Sequence, residues 1–396
     1  MSYRLTKLNH SFIYAGLILL LFLFEAITTF VISFSDYESI RLVGFYKIFF
    51  LFIISLRVSL LKIEKRKTTL LFCLIIIYSI NQFLLQSFDY TNLLVSFTKG
   101  ALYYLIRYIY IFVFIVAFLS YKIKDEIIQK SIKWIELFLF VNSILIVLGA
   151  IFDIDFFKSY PKGIRLGYDG LFNKVNEVSY LYCIYISHIY YRYIRKEKGI
   201  YFLFFIILSS FFIGTKAVLL FLGLLFSYHI LFYAKYKKVY RFIYIPLFTA
   251  FIWFIKPIVR IFFQSSSQWG DLLDKHGVLT VLTSTRDLLF YKGLDYINNT
   301  WSFLNYFFGG PHYTIDFNNT EIGFFDLFIF FGALGTLIYA ILFYKCFIKN
   351  RHPLIIVLVF FILIVGLLAG GLFLSVSSLV YMYLLSYKYD LKNLSK

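Results

Sequence analysis

The stretch SFIYAGLILLLFLFEAITTFVISF, residues 11–34, decides the fold class. Glu25 is its one charged residue. Wound as an α-helix it is about 36 Å long, at about 1.5 Å per residue, and the hydrocarbon of a bilayer is about 30 Å thick. A helix satisfies its own backbone N–H and C=O groups, which lipid demands. The stretch lacks both the alternation of a barrel strand and a small-residue cleavage pattern. It reads as a retained span rather than a removed signal.

Runs of the same kind recur at about residues 42–61, 69–87, 101–120, 134–152, 176–194, 199–213, 215–234, 240–262, 323–344, 353–369 and 371–388. Two neighbouring pairs meet at glycines, Gly214 and Gly370–Gly371, and are the places where two spans could be counted as one. Of the residues, 61% are hydrophobic and mean hydropathy is +0.80. A soluble domain is nearer about half apolar. The chain reads as an all-α polytopic membrane protein of about twelve transmembrane helices, a single integral membrane domain over residues 1–396.

Basic residues set the orientation. With the N-terminus inside, 25 Lys and Arg residues fall on the cytoplasmic side and 12 on the other. Acids run the opposite way, 5 inside against 13 outside. This matches the positive-inside rule and places both termini in the cytoplasm. The formal charge of +18 is thereby a topology signal and an attraction to anionic membrane lipids, not a sign of nucleic acid as a partner. Cys73, Cys183 and Cys346 avoid the long loops and show no zinc-ligand spacing, so no disulfide and no metal is expected.

Two long loops, 153–175 and 263–322, then face outward. In the first, Arg165 offers a planar fork of donors for phosphate, and Asn173 and Asn176 can exchange hydrogen bonds with a sugar. A glycine- and asparagine-rich capping turn explains the same residues. Lys216, at the outer mouth of a span, suits a phosphate near the lipid surface or a snorkelling side chain. In the second loop, apolar residues from Ser284 to Ile297 recur at helical spacing and predict an amphipathic helix on the membrane surface, capped by Ser284 or Thr285. Arg286 falls in its first turn, where the helix dipole disfavours a cation unless an anion binds there. Gly309, Gly310 and Pro311 force a turn that projects His312. Glu321 and Asp326 flank the start of the next span, and an acid inside a span is a functional candidate by default. Gly332 and Gly335 predict close helix packing. Glu25 with Lys47, and Arg107 with some neighbour, read as structural pairs.

Taken together, RLGYDGLFNKVNEVSY before a span, the GTKAVLL turn, STRDLLFYKGLDYI, and the His312–Glu321 region before FGALG resemble the bacterial O-antigen polymerase and ligase superfamily. The resemblance covers roughly residues 100–385, and Lys216 stands where members usually carry Arg. It implies a fold like the GT-C membrane glycosyltransferases, at the outer face of the bacterial inner membrane. The substrate implied is an undecaprenyl-diphosphate-linked oligosaccharide, polymerised without cofactor or metal, with a flippase and a chain-length regulator as partners. On this reading Arg165, Arg286 and Lys216 hold the diphosphate. His312 or Glu321 prepares the acceptor hydroxyl, and Asn173, Asn176 and Asp326 contact substrate. An O-antigen ligase using lipid A–core as acceptor is the nearest alternative. A flippase is a further one, although it predicts two similar halves and a polar midplane that the sequence lacks.

Overall fold

The computed structural model describes residues 2–34, 42–58, 65–84, 101–120, 125–160, 167–172, 174–233, 267–310 and 320–390, with isolated positions between 238 and 257. The helices in chain order are α1 (Ser2–Phe34), α2 (Leu42–Val58), α3 (Lys65–Leu84), α4 (Ala101–Ser120), α5 (Asp125–Phe152), α6 (Val175–Ile194), α7 (Ile200–Phe211) and α8 (Lys216–Phe232). After these come α9 (Ser267–His276), α10 (Val278–Thr283), α11 (Arg286–Thr300), α12 (Asn305–Phe308), α13 (Gly323–Phe343), α14 (Pro353–Ala369) and α15 (Val376–Lys388). Among the described residues there is no strand, only two isolated bridges. Four helices among the described residues, α1, α4, α5 and α13, are long and apolar enough to cross a membrane, and α7, α8 and α14 are shorter apolar ones. The chain is an all-α protein of the membrane-embedded kind. The expected segment 240–262 lies largely outside the described residues.

Two helices make the centre. Every residue from Glu177 to Tyr191 of α6 is buried, and every residue from Val376 to Ser386 of α15. A helix buried all round must be surrounded by others, and α6 packs on α7, α8, α14 and α15. Both are rich in Tyr and Ser, whose hydroxyls find partners only inside a bundle. Ser179 Oγ meets Thr215 Oγ1 at 2.8 Å, and Ser143 Oγ meets Tyr182 Oη at 2.9 Å. Some phenylalanines are buried in the core, such as Phe22, Phe112 and Phe331, and others go outward. Phe45, Phe49 and Phe52 of α2, Phe72 of α3 and Phe204 of α7 are exposed, as lipid-facing residues are. The far end of α6 is fixed by charge: Glu136 of α5 accepts from Arg192 at 3.1 Å and bonds His188, whose Nδ1 lies 2.9 Å from Tyr389 Oη.

The first long loop closes on itself. Ser159 N–H donates to Gly167, Tyr168 N–H to Phe212, and Asp169 N–H to Phe157. Asn142 of α5 clamps it, accepting from Leu171 N–H at 2.7 Å. Lys158 sits between Asp155 and Asp153, which hold its ammonium above the usual lysine range. Burial alone pushes the Asp169 carboxyl up to about 8.

The expected surface helix is α11, preceded by two shorter helices that the sequence pattern did not distinguish. Its cap differs from expectation. Ser284 and Thr285 both take left-handed backbone conformations and neither side chain caps α11. Asp287 in the first turn is held instead by the hydroxyls of Thr280 and Thr283.

Gly332 gives the close helix approach that was expected, and with it a break that was not. It interrupts α13 with a φ of 66°. The short α12 pushes its backbone against the break, so a Cβ at Gly332 would lie 2.4 Å from Phe307 backbone atoms. Carbonyls freed by the break are re-used: Gly310 N–H donates to Ile329, and Asn81 of α3 reaches the carbonyls of Gly310 and Phe330. Irregular backbone at this depth survives only where protein satisfies it.

Candidate functional site

A cavity of about 320 Å³ opens at the end of the bundle where α6, α13 and α15 begin. Pockets for small ligands run from about 300 to 1,000 Å³. Its wall includes Arg107, Tyr160, Lys174, Asn176, Glu177, Glu321 and Ser375. Helix direction explains the grouping. Arg107 lies in the first turns of α4, Glu177 in the first turn of α6, and Ser375 just before α15.

Each cation is held in place. Arg107 donates through Nε and Nη2 to the Leu374 carbonyl, at 3.2 and 2.7 Å. That carbonyl belongs to the short turn Leu372–Leu374, so the chain reversal after Gly370–Gly371 seats the guanidinium. Lys174 precedes α6, and its Nζ lies 3.9 Å from Glu177 Oε2. Burial at the cavity lowers the Lys174 ammonium from the usual lysine range. Behind this wall, Lys47 of α2 pairs with Glu25 of α1 at 2.6 Å and lies 3.7 Å from Glu177 Oε1. The expected pairing of Glu25 with Lys47 is therefore present, but it backs the cavity.

Arg286 and Glu321 meet at the edge. Arg286 Nη2 donates to Glu321 Oε2 at 2.9 Å, and Nη1 donates to the Thr283 carbonyl at 3.1 Å. The expected anion at the start of α11 is here the protein's own carboxylate. Among the described residues, buried Arg286 Nε has no acceptor. Glu321 has a φ of 57°, and its backbone lies directly over Gly370: a Cβ there would fall 1.8 Å from the Glu321 carbonyl oxygen. Only glycine leaves room for that crossing.

The remaining candidates take other places. Asn176 lines the cavity as a sugar-contact candidate. Asp326 is buried and accepts from the Thr320 N–H and hydroxyl at 2.9 and 2.6 Å, so it shapes the turn that presents Glu321. Lys216 donates to the Val281 carbonyl and to Ser284 Oγ, the latter at 2.9 Å, tying α8 to the turn before Arg286. Arg165, Asn173 and His312 lie outside the described residues. The sequence reading missed Arg107, Lys174 and Glu177. For Arg107 and Glu177 the usable signal was the rule that a charge inside a span is functional until shown otherwise.

The arrangement can bind an anion. Arg107, Lys174 and Arg286 approach one cavity from three elements, and guanidinium groups favour phosphate oxygens. Asn176 and Glu177 add groups suited to hydroxyls beside that anion. No protein-family model, curated protein or solved structure matches this chain.

Proposed function

We propose that the protein is a polymerase of undecaprenyl-diphosphate-linked oligosaccharide repeat units, acting at the outer face of the bacterial cytoplasmic membrane. The observation that carries this reading is the cavity with Arg107 and Lys174 in its wall and Arg286 at its edge. These cations hold the diphosphate and stabilise it as leaving group, an electrostatic role. Glu321 sets the position of Arg286, and Lys216 sets the turn from which Arg286 projects. Arg165 and Asn173 of the first loop and His312 of the second remain the further substrate candidates that the sequence offers. The repeat units arrive by a flippase, and a chain-length regulator acts on the product.

About twelve spans with both termini in the cytoplasm put this cavity on the outer side, where a flipped lipid carrier presents its sugar. The test is surface glycan in a strain deleted for the gene and complemented in trans. Wild type restores the long ladder. Arg286→Ala, present in equal amount, gives single repeat units or short chains. An unchanged ladder in the deletion strain defeats the reading.

A further inference from the structure

Along the second long loop the exposed side chains change character within a few residues. On α11 most are polar: Lys292, Asp295, Asn298 and Asn299. Past Trp301 they are apolar: Phe303, at 76%, then Leu304, Tyr306 and Phe307. Ser302 is the exception, and its hydroxyl is spent on Asn305 Oδ1 at 2.7 Å.

The turn is built inside out. Asn305 is buried within it. Its Oδ1 also accepts from Ser302 N–H at 2.8 Å, and its Nδ2 donates to the Gly309 carbonyl at 2.9 Å. Phe307 and Phe308 N–H both donate to the Leu304 carbonyl, and Gly309 N–H to Asn305. Polar atoms at the centre and phenyl rings at the rim suit hydrocarbon, where a polar group must find its partner inside the protein.

Depth gives the same answer. The turn presses on Gly332, and Gly332 lies about 14 Å along α13 from Gly323, at about 1.5 Å per residue. Beyond Gly332 the exposed positions Leu334 and Leu337 are apolar too, on a helix long and apolar enough to cross a membrane. The turn therefore lies alongside a span and not above it. Trp301 and Tyr306 pair at 5.2 Å between ring centroids, and so do Phe303 and Phe307. Trp and Tyr favour the membrane–water interface, and phenyl rings carry no polar atom to keep them there.

We propose that Trp301–Phe308 is a wedge seated in membrane lipid, covered by the acyl chains of the leaflet on the cavity's side. Phe303, Leu304 and Phe307 enter the acyl-chain boundary. Trp301 and Tyr306 lie at headgroup level, and the polar face of α11 stays in water. The wedge thereby sets the height of α11, and of Arg286 at its start, against the lipid phosphates. This placement holds for either orientation of the chain.

The experiment measures depth. Phe303→Cys, Phe307→Cys, Lys275→Cys and Lys292→Cys are each spin-labelled in full-length protein whose Cys73, Cys183 and Cys346 have been replaced. The protein is reconstituted into nanodiscs of phosphatidylcholine and phosphatidylglycerol. Collisions with oxygen, which concentrates in hydrocarbon, are compared with collisions with a water-soluble nickel chelate. The expected oxygen-to-nickel ratio at positions 303 and 307 is about tenfold that at 275 and 292, as for residues below the headgroups. A ratio equal to that at position 292 puts the turn in water and overturns the proposal. Exclusion of both reagents shows a covering protein surface, from a second copy or another partner, and overturns it too. A measurement without a label guards against a label that unseats the turn. With Trp134, Trp253 and Trp269 replaced by Phe, lipid brominated high on its acyl chains is expected to quench the emission of Trp301. Bromolipid without effect on that emission sinks the proposal.

Discussion

Asp169 shows how much one side chain's surroundings can do. It is buried in the first long loop, and burial pushes its carboxyl up to about 8, against about 3.9 in an open chain. The folded protein keeps a proton there that the unfolded chain releases. Its contribution to stability is therefore full below about pH 4 and declines as pH rises towards 8. Asp169→Asn removes that slope. In detergent, the variant is expected to melt above wild type, by a margin larger at pH 7.5 than at pH 4.5. Equal margins at the two pH values contradict the assignment. The charged residues at and behind the cavity each have a counter-charge: Arg286 has Glu321, and Lys47 has Glu25. Such pairs were half visible in the chain. Glu25 and Lys47 could be matched as opposite charges in adjacent spans, but only their depth relative to Glu177 reveals a shared cavity, and depth is not written in spacing.

At the scale of elements, lipid makes helices easy to read and their interruptions hard. The segments 101–120 and 353–369 coincide with α4 and α14, because apolar run length is set by bilayer thickness and little else competes. The break in α13 was not legible. FFGALG reads as close helix packing, which is present, but nothing in it shows that Gly332 breaks the helix where α12 presses its backbone in. The carbonyl partners of that break come from Asn81, some 250 residues away in the chain. Asn81→Leu leaves the Gly310 and Phe330 carbonyls without this donor, and costs about 1–3 kcal/mol. Gly332→Ala costs more, since neither its φ nor its space admits a Cβ. Thermal melting of the purified protein checks both. A Gly332→Ala variant as stable as wild type, with α12 still seated, disproves the account.

For the whole molecule, buried tyrosines, serines and phenylalanines make the centre, and further phenylalanines make up much of the exposed apolar surface. This follows from the solvent: hydroxyls seek partners inside the bundle, and aromatic hydrocarbon is at home in lipid. The cation-lined cavity occupies one end of that centre, and the Glu136–His188–Arg192 cluster lies further along α6 toward its other end. The proposed orientation predicts a labelling pattern. With the native cysteines replaced, single cysteines at Lys275 and Lys292 react with a membrane-impermeant maleimide in intact spheroplasts. Cysteines at Lys65 and Lys349 react only after permeabilisation. The reverse pattern inverts the topology and removes the cavity from the side that the proposed function requires.

The adjacent glycines at the end of α14 carry a different history. A side chain at Gly370 would displace the Glu321 carbonyl, whereas a Cβ at Gly371 meets nothing within 4 Å. Drift at the two codons is therefore unequal. Position 371 can pass to Asn or Asp, residues that tolerate its left-handed backbone. Position 370 can change only in lineages that have already rerouted the chain at 321. Sequences that diverge from this one should lose the second glycine of the pair long before the first.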